Sequence, residues 1–455
     1  MRGAITGFCS ISILSASVGC SGGMGGADGT SAEESLATTA EALAPTLDRA
    51  GIAESFHTSG TIDRTNPFFQ VFGTNGRACA TCHDSRADWT MTPWLAQLIF
   101  VESDGLAPLF RSVDETVRPD ADISTREARE AAFHMLLAKG LTRFTRTVKP
   151  TAEFEVVDVE DPYGWSTPAA FSNFRRILST ANAAHESSIT WTGGPADVRT
   201  NLVSVMVGGT KFHGQTTLTI PDAAAQAGAD FMMGLSFAQL VDVRAGRLDV
   251  RGATGGPANL AAEPFYLGIN ALGGDSRTGA PFDNESFNLY DSWETSKDPG
   301  RAQIGRGESA FYTIDIDITG VPGINDALGQ EVVHGHCTTC HNTPNVGSHS
   351  EFRMIDLGLT GPDRRTADVP LVSLRNKATG EIRQTTDLGR ALSTGRWSDV
   401  GRFKVPTLRG VGARAPYFHD GSAGSLNEVL DFYENRFHVD FKGQKDDIIA
   451  FLKAL

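Results

Sequence analysis

A pentapeptide with two cysteines and a histidine occurs twice in this chain, as Cys-Ala-Thr-Cys-His at residues 79–83 and as Cys-Thr-Thr-Cys-His at residues 337–341. In a C-x-x-C-H motif the two thiols can bond the vinyl groups of a porphyrin, and the histidine can bind its iron. The chain has six cysteines, and the other two, Cys9 and Cys20, lie in an apolar N-terminal segment. The predicted haem-attachment residues are Cys79, Cys82, Cys337 and Cys340, and the predicted iron ligands are His83 and His341.

Each motif therefore indicates one covalently bound haem c, and the repeat predicts two haem-binding units. A zinc site needs four ligands, often from two close cysteine pairs, whereas these pairs are far apart and each carries an extra histidine. A thioredoxin-like redox pair does not require that histidine. A disulfide across C-x-x-C closes a loop too short to stabilise the chain much. Zinc and disulfide are the alternatives to haem.

The N-terminus has the pattern of an export signal. Arg2 is the only charged residue before an apolar stretch at residues 5–19, which is short for a membrane span. Small residues precede Cys20 and a Gly- and Ser-rich segment follows it, as at a bacterial lipoprotein cleavage site, although Ser17 replaces the usual leucine. We expect residues 1–20 to be a signal peptide and the protein to be periplasmic or in the outer cell envelope. Lipidation of Cys20 and plain cleavage are the alternatives.

The charge of the chain excludes some partners. Its formal net charge is −14 at neutral pH, which argues against binding to nucleic acid and against attachment to anionic lipid through a basic patch. Contact with a membrane would then depend on a lipid at Cys20. An acidic surface also fits a basic redox partner, but solubility alone explains it equally well.

The order of segments predicts a mainly α fold with two cytochrome c-like haem domains, loop-rich connections and a small β-containing insertion. Residues 21–58 are predicted to be a flexible tether. An N-terminal haem domain follows at 59–304, with an insertion at about 93–165 that includes a strand near 154–159. Helical stretches are expected over 171–248. A C-terminal haem domain at 305–455 ends on an amphipathic helix, since its apolar positions 448, 449, 452 and 455 share one face.

A second motif adds a family resemblance. Residues 403–411 read Phe-Lys-Val-Pro-Thr-Leu-Arg-Gly-Val, and residues 415–421 read Ala-Pro-Tyr-Phe-His-Asp-Gly. This block resembles one found in bacterial di-haem cytochrome c peroxidases and their MauG-type relatives. The resemblance implies a six-coordinate C-terminal haem that receives electrons, and an N-terminal haem that is open to peroxide. It also implies a tryptophan relay between the haems and, in many members, a calcium ion held partly by carbonyls at positions matching Arg414 and Pro416.

The second iron ligand of the C-terminal haem is predicted from a helix after residue 424. Ser425 with Glu428 forms a capping-box pattern, and Tyr433 then falls on the same inward face as Leu426 and Leu430. By resemblance, the position of Tyr433 holds methionine in the peroxidases and tyrosine in the MauG-type enzymes. A core tyrosine with a hydrogen-bonded hydroxyl is the alternative role for Tyr433, and Met354 is the rival ligand.

The resemblance also assigns residues around the N-terminal haem. Trp191 is the best match to the relay tryptophan, although the Asp and Arg of the family turn are missing; a competing alignment uses residues 207–209 and has no tryptophan. His213 and Gln215 fall near the position of the distal glutamate of the peroxidases. Since an amide can only hydrogen bond, His213 is the better proton carrier. A surface-loop pair is the alternative for both residues.

These expectations converge on an exported di-haem oxidoreductase that uses hydrogen peroxide at the His83 haem. Electrons would pass through the His341 haem, with Trp191, His213 and Gln215 as the predicted catalytic residues. The expected cofactors are two haem c groups and, in one version, a calcium ion. The expected electron source is a small cytochrome, a copper protein or a residue of a protein substrate. The alternative is a non-catalytic electron-transfer cytochrome with two saturated haems.

Overall fold

Most of the longer helices are preceded by a polar residue whose side chain caps the N-terminus of the helix. In the computed structural model, which describes residues 40–41, 46–194 and 197–455, Thr92, Asp197, Asp298 and Ser425 each accept a hydrogen bond from the first turn that follows. The expectations of a signal peptide and of lipidation at Cys20 concern residues outside this range. No helix in the described residues is long and apolar enough to cross a membrane.

Twelve helices and thirteen strands are defined in the described residues. The helices are α1 Pro93–Ser103, α2 Arg126–Ala132, α3 His134–Lys139, α4 Val198–Phe212, α5 Asp222–Gly234, α6 Pro257–Ala262, α7 Pro299–Thr313, α8 Asn325–Leu328, α9 Cys337–Cys340, α10 Ala391–Thr394, α11 Leu426–Phe437 and α12 Lys445–Lys453. The strands are β1 Ala40–Glu41, β2 Thr46–Leu47, β3 Gly51–His57, β4 Ile62–Asp63, β5 Leu141–Arg146, β6 Phe154–Glu160, β7 Phe171–Arg176, β8 Leu235–Asp242, β9 Gly246–Arg247, β10 Ile316–Thr319, β11 Val332–Gly335, β12 Leu371–Asn376 and β13 Ile382–Thr385.

The prediction of a mainly α fold is wrong. The described residues are 32% helical and 17% strand, and their strands form several antiparallel sheets, the largest in the order β2-β3-β8-β9. Part of the error lies in residues 171–248, where β7 and β8 replace expected helix. Every residue of β7 is buried, so it lacks the apolar–polar alternation of a half-exposed strand and cannot be told from buried helix by pattern.

The end of the predicted tether is ordered. Residues 51–57 form β3, which pairs along its whole length with β8. Ala53 on this strand is fully buried. A partner strand almost two hundred positions away in sequence satisfies the backbone of β3, and nothing in the local composition reveals that partner.

The predicted insertion is joined to both halves of the chain. Its strand near 154–159 is present as β6, and it pairs with β12 in the three-stranded sheet β13-β12-β6. Its other strand, β5, pairs with β7. The insertion is therefore held in place by strand pairing outside itself. The domain boundary at residue 304 stays a prediction.

The last helix closes an apolar core around the second motif. Ile448 and Leu452 on α12 are buried and belong to the same cluster as Phe311 of α7 and Leu430 of α11. At the crossing of α7 with α12, a Cβ on Gly307 would lie 1.9 Å from the Asp447 carbonyl oxygen. Only glycine allows this approach, and it brings the closing helix against the second motif.

Candidate haem sites

The first motif forms a short turn whose histidine points one ring nitrogen at the backbone. Residues Cys79–Thr81 form a single 3-10 turn, and the Thr81 hydroxyl accepts a hydrogen bond from the Ala78 amide at 3.0 Å. His83 Nδ1 donates to the Trp89 carbonyl oxygen at 3.1 Å. Burial lowers the pKa of His83 to about 4. The imidazole is therefore neutral near pH 7, and its Nε2 lone pair is free for a metal.

The second motif repeats this arrangement. The His336 amide donates to the Thr339 hydroxyl at 2.9 Å, and His341 Nδ1 donates to the Gly347 carbonyl oxygen at 2.5 Å. In both motifs the accepting carbonyl lies six residues after the histidine. Burial also lowers the pKa of His341 to about 4. A hydrogen bond of this kind fixes the tautomer and orientation of a metal-binding histidine.

The motif cysteines fit a covalent porphyrin better than zinc or a disulfide. All four are free thiols, and burial raises the pKa of Cys79 to about 11 and those of Cys337 and Cys340 to about 12. Within the part of the chain that the structure describes, no cluster of three or more His, Cys, Asp or Glu residues could hold a metal ion. A zinc site of protein ligands alone is therefore not formed.

The second motif faces a cavity that is lined mainly by apolar side chains. Cys337, Cys340 and His341 contribute to one part of its wall, and Tyr433 of α11 contributes to another. Burial, followed by the proximity of the two thiols, raises the pKa of Tyr433 above its usual value. Met354 is buried but is not among the described residues that line the cavity. The cavity thus brings together two thiols, a neutral imidazole and a phenol, a set that fits a haem with tyrosine as sixth ligand.

Trp191 lies between the cavity at the second motif and the surroundings of the first motif. Its ring lines that cavity, 6.3 Å from the ring of Phe403 and 6.4 Å from that of His419, centre to centre. Its Nε1 donates to the Arg176 carbonyl oxygen at 2.7 Å. The next carbonyl along the chain, that of Ile177, accepts a hydrogen bond from the Thr90 hydroxyl. Thr90 follows Trp89, whose carbonyl oxygen accepts the hydrogen bond of His83. Hydrogen bonds and adjacent peptide units therefore connect Trp191 with His83.

The loop with His213 and Gln215 packs on the segment that leads into the first motif. His213 follows the last residue of α4, and its carbonyl oxygen accepts a hydrogen bond from Asn75 Nδ2 at 2.7 Å. A Cβ on Gly73 would lie 1.6 Å from the Gly214 carbonyl oxygen, so the two segments touch. Gln215 has a positive φ of 55°, and its side chain accepts a hydrogen bond from Asn75. Both predicted residues therefore lie near the first motif.

A buried ionic cluster beside the first motif was missed by sequence reasoning. Arg77 is 3% exposed and donates to the Asp114 carboxylate at 2.6 Å. It also contacts the Glu115 carboxylate, and His213 Nδ1 contacts Asp114. The two acids lie in the predicted insertion with no motif around them. What points to a role for the two acids is their burial, which the sequence does not show.

The predicted calcium site does not fit the structure. The Arg414 carbonyl oxygen accepts a hydrogen bond from the Arg176 guanidinium at 2.9 Å, and the same guanidinium donates to the Lys139 carbonyl oxygen at 3.0 Å. Arg176 is buried. A calcium ion on the Arg414 carbonyl would compete with this charge and with its hydrogen bond. We derive no role for calcium.

Comparisons with known proteins agree with the motifs. No family model matches the chain. It is 33% identical over 143 residues to the cytochrome c551 peroxidase of Nitrosomonas europaea, covering 29% of this chain and 36% of that protein. It is 31% identical over 180 residues to a cytochrome-c peroxidase of Denitromonas iodatirespirans, covering 31% and 46%. It is 38% identical over 65 residues to the methylamine utilization protein MauG of Methylorubrum extorquens, covering 12% and 18%.

These matches cover less than half of each relative's length. A solved structure of a MauG-like protein associated with microbial copper homeostasis gives a TM-score of 0.33 at 18% identity, covering 62% of this chain and 73% of that one. At that TM-score the likeness supports no conclusion. The resemblance to cytochrome c peroxidases and MauG is nonetheless confirmed by the curated relatives, which carry those two names.

Proposed function

We propose that this chain, a member of the superfamily of di-haem cytochrome c peroxidases and MauG-type enzymes, is an exported oxidoreductase that reacts with hydrogen peroxide at the His83 haem. His341, Cys337 and Cys340 would hold a second haem, which would supply that site with electrons. The observation that carries the proposal is the position of Trp191, which lines the cavity at the second motif and is connected through residues 176–177 and 89–90 to the hydrogen bond of His83. A tryptophan in this place can pass charge between two sites that do not touch.

The surroundings of His341 support a closed, electron-holding site. When bound there, a haem supplies a one-electron couple whose potential depends on its axial ligands. The Tyr433 hydroxyl has no hydrogen-bond partner within the described residues, so the alternative of a hydrogen-bonded core tyrosine is not supported. An anionic phenolate stabilises the oxidised iron, whereas methionine would raise the potential. Tyr433 thus favours the MauG-type branch.

The surroundings of His83 support a site that handles protons. A haem bound there supplies an iron with one face available to an oxygen ligand. Cleavage of the O–O bond needs a group that accepts a proton from one peroxide oxygen and returns it to the other. His213 is a group of the required type close to this motif, while Gln215 can orient a bound molecule by hydrogen bonding.

The electron source is proposed only by class. A small cytochrome or copper protein would give plain peroxidase activity, and a residue of a partner protein would give oxidation of that protein. The tyrosine ligand favours the second outcome, because it stabilises oxidised states that can take electrons from an amino-acid side chain. The proposed location, periplasm or outer envelope, rests on the sequence of residues 1–20.

Rapid mixing of the ferric di-haem protein with one equivalent of hydrogen peroxide tests the proposal. We expect peroxide to be consumed and the optical bands of both haems to change together. In Trp191→Phe the first haem should still react, but the change at the second should slow by about tenfold or more. Trp94→Phe, at an exposed position, is the matched control. A native protein that leaves peroxide untouched would contradict the proposal and support the saturated electron carrier.

A further inference from the structure

Two adjacent acids of the predicted insertion lie buried next to the first haem motif. Asp114 and Glu115 are each 1% exposed. Both contact Arg77, whose position is two residues before the first motif cysteine. Their charge acts on Cys82 as well, although burial is the main reason that the pKa of this thiol is raised. The insertion therefore delivers carboxyl groups to the neighbourhood of the first haem.

The loop that carries these acids is held rigidly. The Arg143 amide of β5 donates to the Asp114 carbonyl oxygen at 2.6 Å. The Arg143 guanidinium donates to the carbonyl oxygens of Thr116 at 2.8 Å, Val113 at 3.0 Å and Ser112 at 3.1 Å. Arg143 is itself buried. A buried arginine that donates to four carbonyl oxygens within five residues builds a fixed site rather than a mobile loop.

The cluster keeps Asp114 ionised. Burial alone would raise the pKa of Asp114, but hydrogen bonds from Glu115 and His213 and the charge of Arg77 bring it below its ordinary value. Burial raises the pKa of Glu115 well above its ordinary value, and the charge of Asp114 adds to this. Arg111 and Arg143 are the other charged groups close to the pair.

Asp114 fixes the orientation of His213. The carboxylate contacts Nδ1 of the imidazole, and since a carboxylate oxygen can only accept, Nδ1 carries the proton. This leaves Nε2 unprotonated in the neutral ring, where it can accept a proton from a bound molecule. The His213 backbone is fixed independently by Asn75. Side chain and backbone of His213 are thus held from two different segments.

We propose that Asp114 is a positioning residue for proton transfer at the first haem site, and that it acts through His213 in place of the glutamate that this chain lacks. This inference rests on the proposed function. In the step concerned, Nε2 of His213 would take the proton from one oxygen of bound hydrogen peroxide and return it to the other. The O–O bond would break, and the second oxygen would leave as water with both hydrogens and the bonding electron pair. A haem held at the site would supply two electrons to the oxygen that stays behind, and the electron donor would later restore them.

Cyanide tests the proposal without turnover, because it enters as hydrogen cyanide and must lose a proton to bind iron. The binding rate is measured by rapid mixing of ferric di-haem protein with cyanide for the native chain, Asp114→Asn, Asp114→Glu and His213→Gln. Asp120→Asn, an exposed acid of the same insertion paired with Arg118, is the matched control. We expect Asp114→Asn to slow binding by about a hundredfold, at the lower end of what general base catalysis contributes.

Three further results are expected. Asp114→Glu should recover most of the rate, Asp120→Asn should match the native protein, and the double variant of Asp114→Asn with His213→Gln should be no slower than His213→Gln alone. Native-like rates in a fully haem-loaded Asp114→Asn protein would overturn the inference. If that variant fails to accumulate, a native-like rate in His213→Gln overturns it equally. A native protein that binds no cyanide at all would instead contradict the proposed function.

Discussion

Around His83 charged side chains are buried together, whereas around His341 the wall is mainly apolar and ends on Tyr433. In both motifs, however, Nδ1 of the histidine donates a hydrogen bond to the carbonyl oxygen of the residue six positions later in the chain. The repeat therefore gives both histidines the same support, and their surroundings would decide what a bound iron could do. A charged, hydrogen-bonded setting suits proton transfer, while an apolar cavity with a phenol as a possible ligand would suit the storage of oxidising equivalents.

Removal of one pair of thiols at a time gives the largest expected contrast between the sites. With Cys79→Ser and Cys82→Ser, we expect loss of one covalent haem and of the entire reaction with peroxide. With Cys337→Ser and Cys340→Ser, one haem should again be lost, but a single equivalent of peroxide should still react. Mass measurement counts the haems, and rapid mixing follows the peroxide. Equal loss of reactivity in both variants would break the comparison.

Replacement of Tyr433 should affect only the second site. In Tyr433→Phe we expect the low-spin spectrum of the His341 haem to change and the spectrum of the His83 haem to stay the same, because the phenolate ligand is gone. Tyr417→Phe is the matched control, since Tyr417 lines the same cavity but its hydroxyl donates to the Val411 carbonyl oxygen. An unchanged spectrum in Tyr433→Phe would show that another residue binds that iron.

Removal of calcium should have the smallest effect. Because Arg176 already donates to the Arg414 carbonyl oxygen, treatment with a calcium chelator is expected to leave the spectra and the peroxide reaction of the native protein unchanged. Arg176→Met should lower the free energy of unfolding by about 1–3 kcal/mol, because buried carbonyl oxygens lose their hydrogen-bond donor. Denaturant titration would measure this change. If the chelator removed one calcium ion per chain and abolished the reaction with peroxide, Arg176 could not be the group that occupies the Arg414 carbonyl oxygen.

Local patterns account for what the sequence could predict. Each C-x-x-C-H motif is contained in five residues, and the face of α11 that carries Tyr433 follows from helical spacing, so both could be read directly. The position of Trp191 followed from resemblance. The loop of His213 and Gln215 was placed near the first motif on the same basis, and the structure brings the two segments into contact.

Contacts between distant segments account for what could not be predicted. Asp114 and His213 are 99 residues apart in the chain, and no periodicity links them. β6 pairs with β12, and β3 with β8, across still longer separations, so the extent of sheet was underestimated. The Arg176 guanidinium donates to the carbonyl oxygen of Arg414, 238 residues later in the chain. This side chain lies where the resemblance placed a calcium ion. In each case the deciding partner is set by the tertiary fold.

Electron paramagnetic resonance of the ferric protein tests most directly whether the two sites differ as described. The account predicts one high-spin signal from the His83 haem and one low-spin signal from the His341 haem, in equal amounts, with cyanide converting only the first. Two low-spin signals that neither peroxide nor cyanide changes would contradict it, because both irons would then be saturated and the chain could only carry electrons.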